Sequence, residues 1–240
     1  MSLAEKGLQG VALDLPGMGF ADRPVDFLYT WSGLAEWLEK ALNAAKIEKF
    51  HLCVHDIGGP IGFELIRRIP DRIQSLTTLN TIVKVNGFKK PWIMQPFEWW
   101  KLGELSVKAM DTFLSVPLMR FKGVMSTPTN PELRAYGELL RLNDDGAAFL
   151  KIMRSFETTA EFEDKIVKAL EARKFPAQIV YGKFDSELSP VPFADNLCQV
   201  LKLGGYFQVP GRHFLQEDCW DEIANHIFEL HRAMADRTPS

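Results

Sequence analysis

The sequence has little cysteine, no long apolar run and no block of charge of one sign. Its three cysteines, Cys53, Cys198 and Cys219, show no CxxC spacing. This argues against a structural zinc site and is typical of a reducing compartment. No stretch reaches the roughly 20 apolar residues that a membrane-spanning helix needs. Residues 1–7 lack the apolar core of a secretion signal. We therefore expect a cytoplasmic protein that spans no membrane.

The charge is balanced, because 28 basic and 31 acidic residues give a net charge of −3. The sequence has no basic cluster of the kind that would predict contact with nucleic acid. A hydrophobic content of 46% excludes collagen-like and disordered chains. The 240 residues are enough for a full core, so we expect one α/β domain, or one domain with an insertion.

Short apolar runs alternate with helical patterns, which predicts parallel βα units. The predicted strands are residues 11–13, 50–54, 76–79, 178–181 and 206–209. The predicted helices begin after Thr30, run from Pro60 to about Arg68, and run from Trp220 to Met234. The stretch between Thr81 and Phe175 has no clear strand but has helical patterns such as 147–153. We interpret it as a helical insertion, because a structureless loop of that length is improbable.

Asp56 follows a predicted strand and precedes Gly58 and Gly59, with Gly62 beyond them. These glycines predict a sharp turn at which a helix folds back closely on its strand. An Asp at the tip of the turn would lie near a helix N-terminus, where anions are favoured. This pattern predicts a nucleophile elbow with Asp as the nucleophile. The alternative is that Asp56 only caps the helix.

Asp185 and His213 each follow a later predicted strand. The carboxyl ends of parallel strands form one crevice, so these residues are expected to meet Asp56 there. Nucleophile, acid and then His is the chain order of an α/β-hydrolase triad. Glu187 is a rival acid two residues farther along. His226 and His231, on the last predicted helix, are interpreted as packing or surface residues. His51 lies within a predicted strand, and His55, beside Asp56, is interpreted as a partly buried imidazole whose hydrogen bonds are satisfied.

These motifs resemble those of the α/β-hydrolase superfamily, and within it the haloalkane dehalogenases and epoxide hydrolases, which use an Asp nucleophile. Residues 14–24 look like the family's loop after its fourth strand, 54–62 like its elbow, and 213–218 like the segment around its catalytic His. Val54 favours the dehalogenases. The resemblance implies an α/β-hydrolase fold, a mostly parallel sheet flanked by helices. It places the core in residues 1–80 and 175–240 and a helical cap in 81–174.

The sequence also departs from the family at the predicted site. Dehalogenases usually have Trp directly after the nucleophile, where its N–H holds the departing halide, but this chain has Ile57. Of Ile57, only the backbone N–H can serve the oxyanion or leaving group. A tryptophan of the predicted cap is the alternative source of a halide contact. Epoxide hydrolases usually have a pair of cap tyrosines, and the predicted cap has only Tyr136. The expected substrate-binding residues are Trp92, Trp99, Trp100, Tyr136 and Phe214. For each Trp, the alternative is packing of the cap on the core.

The family also has three strands before the counterpart of 11–13, and the loop after the third carries a His-Gly motif that supplies an oxyanion donor. The resemblance therefore implies a fold that lacks its first three strands and has an unfilled sheet position beside 11–13. A longer protein, another segment or chain in the gap, or a rearranged fold would each account for this. A misplaced start or a truncated gene is the simplest explanation, and pairing with a second copy is one way to fill the gap. The oligomeric state stays open.

The activity implied by the resemblance is opening of a carbon–halogen bond through an alkyl ester on Asp56. Water activated by His213, which Asp185 orients, would then hydrolyse the ester. Three alternatives remain: an epoxide hydrolase, an esterase or lactonase, and a catalytically impaired binding protein. The esterase is disfavoured because attack by a carboxylate on an acyl carbon gives a mixed anhydride. The expected partner is a small hydrophobic substrate, with no nucleic acid, membrane, metal or organic cofactor.

Overall fold

The computed structural model describes residues 2–110, 115–125 and 127–235. Within them, parallel strands form a four-stranded sheet in the order β1-β2-β3-β4. The strands are β1 (Phe50–Asp56), β2 (Ile73–Thr81), β3 (Ala177–Gly182) and β4 (Phe207–Val209). The helices are α1 (Ser2–Glu5), α2 (Trp31–Ala44), α3 (Gly58–Arg68), α4 (Leu102–Ala109), α5 (Ser115–Leu118), α6 (Asn130–Arg141), α7 (Ala147–Arg154), α8 (Ala160–Glu171), α9 (Pro190–Leu201), α10 (Leu215–Asp218) and α11 (Trp220–Ala235). Short 3₁₀ turns lie at Pro70–Arg72 and Gln95–Glu98, and a π-helical turn at Met119–Gly123.

Four of the predicted strands are confirmed as β1 to β4, but the strand predicted at 11–13 is wrong. That segment has no strand, and Val11 and Leu13 are 54% and 38% exposed. A short apolar run becomes a strand only where a neighbouring strand pairs with its backbone groups. In the described part of the chain β1 pairs only with β2 and is one of the two edge strands of the sheet. The absence of three family strands stays a prediction.

The helices predicted after Thr30 and from Trp220 onward are confirmed as α2 and α11. Thr30 caps α2 by accepting a hydrogen bond from the Gly33 N–H at 3.1 Å. The buried face of α2 includes Trp31, Leu34 and Leu42, whose spacing is that of an amphipathic helix. The C-terminal helix α11 covers one face of the sheet, against Leu79, Val180 and Val209. Helices α2, α3, α8 and α9 contribute to the larger core cluster on the other face. None of the described helices combines the length and apolar character needed to cross a bilayer.

The described residues between β2 and β3 form helices α4 to α8 and contain no strand, so the predicted helical insertion is confirmed as helical. Its last helix, α8, belongs to the main core, where Phe162 packs 5.5 Å from the Trp31 ring. Phe97, Val107 and Phe149 form a separate small cluster with their neighbours on α7. The division into a hydrolase core and a cap at 81–174 stays a prediction.

Two glycines allow α3 to lie close to the sheet. A Cβ atom on Gly59 would lie 1.9 Å from Thr81 Oγ1, and one on Gly62 would lie 2.5 Å from Val54 Cγ1. A Cβ atom on Gly58 would meet nothing within 4 Å. The predicted need for small residues therefore applies to Gly59 and Gly62 but not to Gly58.

We expect Gly59→Ala to lower the free energy of unfolding by about 1–3 kcal/mol, because the added methyl group must push α3 away from β2. Gly58→Ala is the matched control: it has space for the methyl group, and alanine is the better helix former. Urea unfolding of the two variants checks this expectation. Equal stability of both would contradict the close approach of α3 to Thr81.

Candidate active site

Asp56 ends β1 in a strained turn. Its φ of 49° lies in the left-handed region that L-residues rarely adopt. Its carbonyl oxygen accepts a hydrogen bond from Thr81 Oγ1 at 2.5 Å, and its side chain stays 41% exposed. The N-cap of α3 is Ile57, with no side-chain cap hydrogen bond, so the alternative in which Asp56 only caps the helix is wrong. The turn instead presents the carboxylate at the carboxyl end of the sheet.

Asp185 follows β3 and bonds to His213. Its Oδ2 lies 3.0 Å from His213 Nδ1, and its side chain is completely buried. Its Oδ1 accepts the backbone N–H groups of Glu187 at 2.8 Å and Leu188 at 3.0 Å. These bonds orient the carboxylate toward the imidazole. The rival acid Glu187 pairs with Lys122 at 3.0 Å instead.

The other ring nitrogen of His213 faces Asp56. His213 Nε2 lies 3.8 Å from Asp56 Oδ1, which is longer than a hydrogen bond. Burial disfavours a charge on this imidazole, but the hydrogen bond to Asp185 and the charge of Asp56 outweigh it. The pKa of His213 is therefore raised above its ordinary value of 6.5. The structure thus brings Asp56, Asp185 and His213 together, although they come from three separate strand ends.

Ile57, the predicted oxyanion or leaving-group residue, lies between Asp56 and α3. Its side chain is partly buried against the main core and carries no polar atom. Its backbone N–H is at the start of the helix, where N–H groups have no acceptor within the helix. The helix dipole adds positive potential at the same position. The backbone N–H of Ile57 can therefore donate to a negative oxygen beside Asp56.

Phe214 and Tyr136 lie on the His213 side of the site. The Phe214 ring is 5.0 Å from the His213 ring, 5.7 Å from His55 and 5.7 Å from Tyr136. The Tyr136 hydroxyl hydrogen-bonds to Glu217. Burial and this bond raise the pKa of Tyr136. Phe214 therefore links Tyr136, from the insertion, to the imidazole, and the substrate contacts of both stay predictions.

The three predicted tryptophans lie on the surface of the insertion. Trp92, Trp99 and Trp100 are 68%, 55% and 77% exposed. The Trp100 ring faces the Arg154 guanidinium at 5.6 Å, a contact within the insertion. The structure neither packs these indoles into the core nor encloses them in a pocket. Their contact with substrate stays a prediction.

The sequence analysis did not identify Asn80, at the carboxyl end of β2. Asn80 is completely buried, and its Nδ2 donates to the carbonyl oxygens of Arg212 at 2.8 Å and His213 at 3.0 Å. Its Oδ1 accepts the Gly182 N–H at 2.7 Å. A polar residue directly after the predicted strand 76–79, at the same edge of the sheet as Asp56, was the available signal.

The loop that carries His213 also forms hydrogen bonds with the helical segment between β2 and β3. Arg212 donates to the carbonyl oxygens of Phe121 at 2.6 Å and Val124 at 3.3 Å. The Phe214 N–H donates to the Gly123 carbonyl oxygen at 2.8 Å. A Cβ atom on Gly123 would lie 2.8 Å from the Phe214 ring, so glycine lets the two segments touch. These contacts anchor the insertion next to the candidate active site.

Comparisons with known proteins agree with this architecture. A model of the α/β hydrolase fold matches residues 2–114. An uncharacterized hydrolase of Saccharomyces cerevisiae is 24% identical over 188 residues, covering 75% of this chain and 65% of that protein. A haloalkane dehalogenase of Psychrobacter cryohalolentis is 30% identical over 95 residues, covering 37% of this chain and 31% of that protein. The chain spans 57–65% of the length of the first curated relatives that it matches.

The structural comparison covers more of the chain. The crystal structure of a haloalkane dehalogenase from Bradyrhizobium elkani superposes with a TM-score of 0.71 at 20% identity. The superposition covers 92% of this chain and 80% of that one. At this identity the likeness concerns the fold. The parallel sheet flanked by helices, the family match and the superposition together show that this chain has the α/β-hydrolase fold.

Proposed function

We propose that the protein is a hydrolase that opens a carbon–halogen bond by forming an alkyl ester on Asp56. One observation carries the proposal: the exposed Asp56 carboxylate, in its strained turn, faces His213 Nε2 at 3.8 Å, while His213 Nδ1 bonds to the buried Asp185. A nucleophile, a base and a residue that orients the base are the groups that two-step ester chemistry requires. The dehalogenases among the similar proteins support this choice.

In the first step, the Asp56 carboxylate attacks the carbon that bears the halogen. A carboxylate is ionised at neutral pH, so this attack needs no base. The new carbon–oxygen bond forms as the carbon–halogen bond breaks, and the halide leaves with the electron pair. The product of this step is an alkyl ester on Asp56.

In the second step, His213 accepts a proton from water, and the water oxygen attacks the ester carbonyl carbon. The Ile57 backbone N–H donates to the oxyanion that forms. Collapse of this intermediate breaks the acyl–oxygen bond, releases the alcohol and restores the Asp56 carboxylate. The reaction converts the haloalkane and water into an alcohol, a halide ion and a proton, which leaves through His213. Asp185 orients the imidazole throughout.

An epoxide is the second candidate substrate, and Ile57 is the observation that favours it. Its side chain has no N–H group to hold a departing halide. When an epoxide opens, its oxygen stays attached to the substrate, so no separate anion has to be bound. Asp56 would open the ring to an alkoxide that takes a proton from solvent water, which gives a hydroxyalkyl ester. His213 would then activate water to hydrolyse this ester to a diol, as in the second step above.

Product analysis with 1-bromobutane, 1,2-dibromoethane and styrene oxide tests the proposal. We expect bromide release and alcohol formation, and a loss of at least about 10⁴-fold in Asp56→Asn, whose amide is not a nucleophile. Diol from styrene oxide without bromide from the haloalkanes would favour the epoxide hydrolase. If no substrate were converted, or if Asp56→Asn were fully active, the proposal would be wrong.

A further inference from the structure

The main-chain carbonyl of His213 accepts hydrogen bonds from two side chains. His55 Nε2 lies 2.8 Å from this oxygen, and Asn80 Nδ2 lies 3.0 Å from it. Because a carbonyl oxygen can only accept, Nε2 of His55 must carry a proton. His55 therefore donates from β1, and Asn80 donates from the neighbouring strand β2. Both residues lie near the carboxyl ends of their strands, where Asp56 also lies.

The segment around His213 needs this support because its own strand is short. β4 has only three residues, and Phe207 at its start is 49% exposed. The backbone then turns at Pro210 and Gly211 before His213. Asp185 holds the imidazole ring at Nδ1, but that bond alone does not fix the backbone from which the side chain extends. The two donors to the His213 carbonyl supply that restraint, together with the hydrogen bond from the Phe214 N–H to the Gly123 carbonyl oxygen.

His55 also stays neutral beside His213. Their ring centroids are 5.0 Å apart. Burial and the charge of His213 lower the pKa of His55 to about 4, although the charges of Asp56 and Asp185 oppose this. The pKa of His213 is shifted in the opposite direction. His55 therefore serves as a neutral donor with an unprotonated Nδ1, while the pKa of His213 is raised above its ordinary value.

We propose that His55 is a positioning residue for His213: its Nε2–H group holds the His213 backbone so that the imidazole faces the ester on Asp56. The inference rests on the proposed function, because it assigns His55 to the hydrolysis of that ester. Ester formation uses only the Asp56 carboxylate and needs no base. Loss of the His55 donor is therefore expected to slow the second step and to spare the first.

The test compares His55→Leu, which has no donor, with His55→Gln, whose Nε2 can reach the same carbonyl. Rapid quenching with 1,2-dibromoethane, followed by intact-protein mass, measures ester formation and ester decay separately. We expect His55→Leu to form the ester at nearly the wild-type rate and to hydrolyse it roughly 10- to 100-fold more slowly. His55→Gln is expected to recover most of the rate of decay. If His55→Leu does not fold, His55→Asn replaces it, because its shorter amide falls short of the carbonyl.

Several outcomes would overturn the inference. They are ester decay in His55→Leu at the wild-type rate, equal slowing of both steps, or a His55→Gln variant as slow as His55→Leu. Wild-type protein that forms no ester would instead contradict the proposed function. In that case, long-range ¹⁵N–¹H spectra of the wild-type protein, which report which imidazole nitrogens carry protons, test the positioning role without any substrate. A His55 ring protonated on Nδ1 alone, or one that titrates near pH 6.5, would overturn the inference whatever the activity.

Discussion

A His213→Ala variant is expected to accumulate protein that is alkylated on Asp56. Attack by Asp56 needs no base, but hydrolysis of the ester requires a group that takes a proton from water. Removing the imidazole should slow hydrolysis by about 10²–10⁴-fold while ester formation continues. Intact-protein mass after incubation with 1,2-dibromoethane should show one added bromoethyl group per chain. Peptide mapping should place that group on Asp56.

Two control proteins accompany this variant. His226→Ala removes a histidine of α11 that stacks on Phe207 with ring centroids 4.3 Å apart, and it is expected to turn over without accumulating ester. The double variant Asp56→Asn/His213→Ala should gain no mass, because it has no nucleophile. An adduct on another residue, or an ester that decays in His213→Ala as fast as in the wild type, would contradict the role of His213 as the base.

An Asp185→Asn variant is expected to lose about 10⁴-fold in the rate of ester hydrolysis. The Asn amide would donate to His213 Nδ1, which forces the ring proton onto Nε2. Nε2 then has no lone pair to accept a proton from water. Glu187→Gln is the matched control, because Glu187 pairs with Lys122 rather than with the imidazole. We expect that variant to keep the wild-type rate within a few-fold. The reverse ranking would identify Glu187 as the acid.

The dependence of the rate of ester hydrolysis on pH provides a second test of the interaction between Asp185 and His213. His213 acts as a base only when it is deprotonated, and its pKa is raised above 6.5. The rate of ester hydrolysis should therefore fall as pH decreases through a value above 6.5. Asp185→Asn removes the charge of Asp185 and its acceptor for the Nδ1 proton, both of which raise this pKa, so its remaining activity should persist to lower pH. A profile that does not move would contradict the coupling of Asp185 to His213.

The residues of the candidate site were predictable because of a general property of parallel sheets. Asp56, Asp185 and His213 each follow an apolar run, and the carboxyl ends of parallel strands meet at one edge. The N-cap Thr30 and the amphipathic pattern of α2 were predictable for a local reason, since capping and apolar spacing act within a single helix.

Other features depended on contacts between distant segments. The run at 11–13 has the composition of a strand, but without a neighbouring strand it stays exposed. Gly58 and Gly59 are alike in sequence, yet only Gly59 lies against Thr81. The exposed indole of Trp100 contacts the guanidinium of Arg154, which lies on α7, far along the chain. Local patterns carry no information about such pairings.

The amino-acid sequence by itself therefore determined the strands β1 to β4, the helical insertion and the residue types of the candidate triad. Apolar periodicity and turn residues encode these features locally. The tertiary structure excluded the rival acid, because it places Asp185 against His213 and pairs Glu187 with Lys122. It also decided that His55 and Asn80 both donate to the His213 carbonyl. Those bonds exist because the packing of the sheet brings three strand ends within hydrogen-bonding distance of one another.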